Sequence, residues 1–214
     1  MPLSRYNERV SSDRVSQVAS ADFPTRWGRF RIYGFRGEFA SDGNRRVEEA
    51  VALVMGNVHS TPPLMRIHSQ CLTGDVFHSL RCDCRQQLEL SLSMIGKEGV
   101  GILIYELQEG RGIGLMAKLQ AYELQDAGLD TVEANERLGF KADHREFTLP
   151  AEILKALGVT QVRLLSNNPD KVDALKRAGV RVVERVPCEV TPSPHAEDYL
   201  RTKKEKLGHL FTSS

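Results

Sequence analysis

Val100-Gly101-Ile102-Leu103-Ile104-Tyr105 runs into Glu109-Gly110-Arg111-Gly112-Ile113-Gly114, and a helical pattern follows from about Leu115 to Ala127. The apolar run reads as a strand buried on both faces, and the glycines punctuate it. Strand, glycine turn, helix is the opening of a βαβ unit, which requires a parallel sheet. A second unit follows: a strand over Gln161 to Leu165, a turn at Ser166-Asn167-Asn168-Pro169-Asp170, and a helix to Ala178. There Asn168 suits the N-cap, Pro169 the first helical position and Gly179 the terminator. Val180-Arg181-Val182-Val183 returns as strand.

Upstream, the alternation of Trp27-Gly28-Arg29-Phe30-Arg31-Ile32-Tyr33 predicts a half-buried strand, and Val51–Gly56 and Pro63–His68 predict two more. These suggest an early antiparallel sheet that delivers Cys71 at a strand end. Leu88, Leu92 and Ile95 then recur at helical spacing, closed by Gly99. The class is α+β, with mixed sheets and βαβ units. Residues 1–21 carry no period and few large apolar groups, and read as a mobile extension. Residues 22–214 read as one domain with no clean internal boundary.

Cys71, Cys82 and Cys84 stand in the spacing C-x10-C-x-C, beside the polar turn Thr73-Gly74-Asp75 and flanked by Arg66, His68 and Arg81. Three thiolates can hold one zinc ion and leave a tetrahedral position for water, whose pKa the ion lowers. A structural site would want a fourth ligand, for which His68 and His78 are at hand. Cys82 and Cys84 are too close in sequence to pair, although Cys71 could pair with either. Cys188, in Val-Pro-Cys-Glu-Val, reads as a small buried hydrophobe.

The chain's 29 basic and 28 acidic residues give a net charge of +1, so no bulk field draws nucleic acid or a membrane surface. No apolar stretch is long enough to span a bilayer, and the amino terminus lacks a signal core. Four cysteines without such a signal argue for a reducing compartment, and the expectation is a soluble cytoplasmic protein.

Other motifs are weaker singly. Gly110, Gly112 and Gly114 would let backbone N–H groups approach an anion, with Arg111 forking onto phosphate, or would serve packing alone. Ser166-Asn167-Asn168 with Lys171 is a second polar-ligand end, or an ordinary capped helix start. Asp143-His144-Arg145-Glu146 has the character of a solvated loop, and Tyr122 that of a partly buried core tyrosine.

Taken in order, the strings His68-Ser-Gln-Cys-Leu-Thr-Gly-Asp75, Arg81-Cys-Asp-Cys84, Gln108-Glu-Gly-Arg-Gly-Ile-Gly-Leu115, Ala121-Tyr-Glu-Leu-Gln-Asp126, Asp130-Thr-Val-Glu-Ala-Asn135, Leu164-Leu-Ser-Asn-Asn-Pro169 and Lys206-Leu-Gly-His-Leu210 resemble the GTP cyclohydrolase II family. The likeness runs over about residues 23–211. It implies a zinc enzyme that opens GTP at the entrance to riboflavin biosynthesis, a GTP cyclohydrolase II-like catalytic domain over 22–214, magnesium with the substrate phosphates, and a homodimer. It does not extend to a fused dihydroxybutanone-phosphate synthase segment.

By the same resemblance Cys71, Cys82 and Cys84 bind one zinc ion. Arg66, Ile67, His68, Ser69, Gln70, Gln87, Glu109, Gly110, Arg111, Thr131, Ser166 and Lys171 contact the nucleotide. Asp143 is the proton acceptor, Arg145 the nucleophile towards the α-phosphate, and Tyr122 supports hydrolysis at the base. A guanidinium stays protonated to high pH, so the physical alternative makes Arg145 an electrostatic clamp. Gln70, Arg85 and Ser166 depart from the family's usual glutamate, glycine and threonine. Two other readings remain open at the level of sequence: a paralogue that stops at the formamidopyrimidine, and a nucleotide- or zinc-binding regulator without turnover. A nucleobase deaminase lacks its signatures here.

Overall fold

The computed structural model describes residues 14–41, 44–141, 143–191, 193–206 and 208–210. One seven-stranded sheet organises them: β1 (Val15–Thr25), β2 (Gly28–Ser41), β3 (Asn44–Met55), β4 (Leu64–Ser69), β5 (Gly101–Glu106), β6 (Gln161–Leu165) and β7 (Arg181–Val186), in the spatial order β1-β2-β3-β5-β4-β6-β7. The β1-β2-β3-β5 half is antiparallel and the β5-β4-β6-β7 half is parallel. The helices are α1 (Cys84–Glu98), α2 (Leu115–Asp126), α3 (Thr131–Arg137), α4 (Thr148–Ala156), α5 (Pro169–Arg177) and α6 (Glu197–Glu205).

The expected α+β class with βαβ units is what forms, as one sheet. Two details differ from expectation. β4 does not extend the antiparallel run: it sits parallel to β5 and β6, in the middle of the sheet. Its residues Leu64, Met65 and Ile67 are fully buried, as a central strand covered on both faces requires. And the stretch 1–21 is not an extension from Val15 onward, because Val15–Ala21 pairs with β2. Residues 1–13 lie outside the described residues. Only Val15 and Gln17 are buried in β1, so the edge strand carries almost no apolar signature.

Strand alternation sends side chains to two cores. Met65, Ile67, Ile102 and Ile104 face Leu149, Ile153 and Leu154 of α4 and Leu175 of α5. Leu64, Leu103 and Leu53 face Leu92 and Ile95 of α1 on the other side. Helix α1 ends as its sequence predicts: Gly99 takes φ +70° and its N–H bonds the Ile95 carbonyl at 2.9 Å. The capped start of α5 also forms, with Asn168 Oδ1 accepting from Asp170 N at 2.9 Å and Pro169 first in the helix. Because consecutive crossovers from β4 and β5 leave the sheet in opposite directions, a crevice opens at the carboxyl ends of β4, β5 and β6.

Gly96 of α1 tests this packing. A Cβ there would lie 2.2 Å from the Trp27 carbonyl oxygen. Gly96→Ala raises intrinsic helix propensity, yet should lower stability by about 1–3 kcal/mol in chemical denaturation, because overlap outweighs propensity. A stabilised variant would contradict the observed seating of α1 beneath the β1–β2 turn.

Candidate active site

The end of β4 delivers Cys71 into a short π-helical turn, Leu72–Val76, and the start of α1 delivers Cys82 and Cys84. Asp75 fixes that turn. Its carboxylate accepts from Cys71 N at 3.0 Å, from the Tyr105 hydroxyl at 2.8 Å and from His68 Nε2 at 3.2 Å. His68 is therefore spent on Asp75, and neither it nor His78 joins the sulfurs, which removes both as a fourth ligand. Burial lowers the His68 pKa against the opposing pull of Asp75.

The three Sγ atoms lie within 4.8 Å of one another, with Cys71 and Cys82 3.7 Å apart. A tetrahedral ion with bonds of about 2.3 Å separates its sulfurs by about 3.8 Å, so this donor set fits zinc. Gly74 makes room for it: a Cβ there would stand 2.9 Å from Cys82 Sγ and 3.1 Å from Cys71 Sγ. Hydrogen bonds from the other two thiols hold Cys71 far below the usual thiol range, with the Lys118 charge assisting. The same sharing pushes Cys82 up to about 11. Lys118 Nζ sits 3.2 Å from Cys71 Sγ and 2.8 Å from Glu109, so a cation already balances the cluster. No disulfide forms, and Cys188 is buried, as read.

The carboxyl end of β5 carries the glycine turn. Gly110 and Arg111 adopt φ of 62° and 60°, and Gly112 adopts 90°. At Arg111 this left-handed conformation is strained. Gly112 serves packing: a Cβ would meet the His144 backbone at 3.1 Å, and Arg111 O accepts from His144 N at 3.0 Å. That contact draws the 138–147 loop against the site. Asp143 then binds Arg145 through two guanidinium nitrogens, at 3.0 Å from Nε and 2.5 Å from Nη2. Burial alone would lower the Arg145 pKa, but the Asp143 bonds and charge outweigh it and hold it above its usual value. Within the charge run His144 and Glu146 are exposed, while the Arg145 side chain is drawn in and only 13% exposed.

One cavity is lined by the three cysteines together with Arg66, His68, Ser69, Gln70, Gln87, Glu109, Gly110, Arg111, Tyr122, Thr131, Arg145, Ser166 and Lys171. Two expected residues are not on its wall. Ile67 points to the opposite face of β4, into the α4–α5 core, and only its carbonyl serves the site, accepting from Lys171 Nζ at 2.9 Å. Asp143 stands behind Arg145, on a separate cleft.

Tyr122 does reach the cysteines: its hydroxyl is 3.2 Å from Thr73 Oγ1, which is 3.7 Å from Cys71 Sγ. Burial raises its pKa, so it remains a phenol. Arg66, Arg111, Arg145 and Lys171 line the same cavity, and the charges of Lys171 and Arg145 act on the buried Glu106 nearby, whose carboxyl burial pushes up to about 8. Burial and the Arg66 and Arg145 charges push Lys171 down. Both terminal nitrogens of Arg111 are buried without a hydrogen-bond partner. The cavity therefore combines a thiolate cluster with several cationic side chains.

The departures resolve locally. Arg85 does not face the cavity: it bonds the Asp75 carbonyl at 2.8 Å and Glu89 at 2.8 Å, bracing the cysteine turn. Ser166 Oγ accepts from Asn168 N at 3.0 Å, so its hydroxyl closes the turn before α5. Sequence reasoning missed Lys118, Asn135, Tyr199, Lys203 and His209 on the same wall. Lys118, four residues beyond Gly114 on a helix entering the site, was the one with a readable cue.

Comparison with known proteins follows this geometry. The family model described as GTP cyclohydrolase II matches residues 16–187. A protein named GTP cyclohydrolase-2 from Escherichia coli O9:H4 (strain HS) is 54% identical over 199 residues, covering 92% of this chain and 98% of its own. The riboflavin biosynthesis protein RibBA of Aquifex aeolicus (strain VF5) is 53% identical over 199 residues, and there the chain spans 48% of the relative's length. A two-domain 3,4-dihydroxy-2-butanone 4-phosphate synthase from A. baumannii, RibBX, aligns at a TM-score of 0.45 with 16% identity, over 83% of this chain and 42% of that one.

The sulfur cluster predicts metal content. Cys82→Ser leaves two thiolates, and zinc per chain should drop from near one to below about a tenth by atomic absorption. Gly74→Ala should weaken zinc about ten- to hundredfold in chelator competition. Full retention in both variants would refute the site.

Proposed function

The chain belongs to the GTP cyclohydrolase II family, and from that premise we propose that it hydrolyses GTP with one zinc ion. The products would be 2,5-diamino-6-ribosylamino-4(3H)-pyrimidinone 5′-phosphate, formate and pyrophosphate, as the first step of riboflavin biosynthesis. One observation carries this reading: the three sulfurs and the cationic side chains Arg66, Arg111, Arg145 and Lys171 line a single cavity. That combination suits a ligand that carries both a hydrolysable ring and phosphates.

Cys71, Cys82 and Cys84 would hold the zinc, which supplies the Lewis acidity that makes water nucleophilic near neutral pH. Tyr122, protonated and linked to Thr73, is positioned to pass protons at the purine C8 through two successive hydrations, first opening the ring and then releasing formate. Gln87, held between Asp83 and Arg66, presents an oriented amide to the nucleotide. Arg111 and Lys171 neutralise phosphate oxygens, with magnesium carried in by the substrate and keeping several waters.

The Asp143 pairing supports Arg145 as a clamp. Its charge state is reinforced by the carboxylate, and a guanidinium so held is a poor nucleophile and a good partner for developing charge on the leaving pyrophosphate. Asp143 then positions Arg145 from behind. Homodimerisation comes from the family resemblance, and a cytoplasmic setting from the free cysteines. Exposed Phe77 and Met116 offer apolar surface to an interface, and no helix among the described residues is long and apolar enough to cross a membrane.

Zinc-loaded protein with magnesium should convert GTP to equal amounts of formate and pyrophosphate by mass analysis, and metal-stripped protein should leave the ring closed. Arg145→Ala should slow pyrophosphate release by at least about a hundredfold. Rapid quench of the wild type should trap no guanylyl adduct, whereas a covalent adduct would restore the nucleophile. Release of pyrophosphate without formate would point to the paralogue that stops at the formamidopyrimidine.

A further inference from the structure

Helix α6 lies past residue 187, where the family match ends, yet Tyr199 and Lys203 face the cavity, and His209 joins them just beyond the helix. This segment is tied down. Lys206 pairs with Asp130 and Glu133 at the start of α3, and Leu210 N bonds the Asn167 carbonyl at 2.8 Å, in the turn after β6.

Two contacts reach inward from it. Lys203 Nζ donates to Asp83 Oδ1 at 2.8 Å, both side chains buried at 9% and 4% exposure. Asp83, between two of the cysteines, accepts on Oδ2 from Gln87 Nε2 at 2.6 Å. Gln87 Oε1 accepts from Arg66 Nη2 at 2.6 Å, and Arg66 Nη1 donates to the Leu165 carbonyl at 3.0 Å. Donation converges on Asp83: Arg66 donates to Gln87, while Gln87 and Lys203 both donate to the carboxylate. The Asp83 acceptor and the Arg66 donor fix which end of the Gln87 amide points where, and Lys203 neutralises the carboxylate; without it, Asp83 would be a buried anchor short of its cation.

The second contact is the Tyr199 ring, which has Lys203 Nζ 4.5 Å from its centroid on one side and the Arg111 guanidinium 5.6 Å away. Ring contact holds a guanidinium without consuming its N–H groups. That matches Arg111, whose Nη1 and Nη2 are buried yet hydrogen-bonded to nothing. A buried fork with all its terminal donors free is a site built for oxyanions.

We propose that α6 is a wall of the nucleotide site in which Tyr199 and Lys203 are positioning residues. Tyr199 presents Arg111 to the polyphosphate, and Lys203 aligns the Asp83–Gln87–Arg66 chain on the rest of the nucleotide. The assignment rests on the GTP reading above and extends it to a segment outside the matched family core. The wall's two contacts act through ground-state binding, so their loss raises KM more than it lowers kcat.

The test titrates full-length, zinc-loaded chain with guanosine 5′-[α,β-methylene]triphosphate by calorimetry. Tyr199→Leu should weaken binding about tenfold, with Tyr199→Phe close to wild type, because the ring and not the hydroxyl does the holding. Lys203→Met should weaken binding about tenfold and Lys203→Arg should restore most of it, with zinc per chain unchanged throughout. KM for GTP should follow the same order. If Lys203→Met does not fold, the Tyr199 pair decides alone. Wild-type binding matched by both Tyr199→Leu and Lys203→Met overturns the wall and leaves the GTP reading intact. Zinc loss in Lys203→Met overturns its assignment to the nucleotide. A wild type that binds no analogue overturns the parent reading and this one with it.

Discussion

The buried carboxylate of Asp75 is the constraint on which the site is built. It gathers the Cys71 amide, the Tyr105 hydroxyl and His68 Nε2, and so ties the end of β4, the end of β5 and the cysteine turn into one unit. A buried carboxylate is costly unless its lone pairs are occupied, and here three donors occupy them. The turn it locks, with Gly74 pressed against two sulfurs, brings Cys71 to within 3.7 Å of Cys82. Arg85 bonds the Asp75 carbonyl from the first turn of α1 and closes the arrangement from the other side. A glycine there would leave that carbonyl to other partners, so the arginine is a substitution of bracing and not of ligand contact.

From that unit the charge distribution follows. Lys118 answers the cysteines, while Arg66 and Arg145 act on Lys171 with Glu106 as a neighbouring buried acid. Burial, and then the like charges of Arg66 and Arg145, depress the Lys171 pKa, a cost that a bound anion would offset. Such a site spends stability on readiness.

Much of this was legible in the residues. The C-x10-C-x-C spacing, the glycine turn after a buried strand, and the Asn168-Pro169 cap each name a local geometry that side-chain chemistry alone dictates, and each formed. What eluded sequence were properties of the sheet as a whole. Ile67 sits among cavity-lining neighbours, yet strand alternation turns it into the opposite core. Asp143 precedes Arg145 by two residues and ends behind it, because the Arg111 carbonyl bonds His144 N and Gly112 leaves room for that close approach. The edge strand from Val15 buries so little that no pattern betrays it, and its partner β2 alone makes it a strand.

Two of the missed residues share one physical reason. Tyr199 and Lys203 lie on a helix whose sequence is mostly charged, and a charged helix ordinarily faces water. Their inward turn is set by partners more than a hundred residues away for Lys203 and by the unusual backbone of Arg111 for Tyr199. A left-handed arginine in a glycine turn is strained, and strain persists only where surrounding contacts hold it. The 3.0 Å bond from His144 N to the Arg111 carbonyl holds its backbone, and the Tyr199 ring holds its tip. Those two restraints hold Arg111 where its terminal nitrogens are buried and unpaired on the cavity wall.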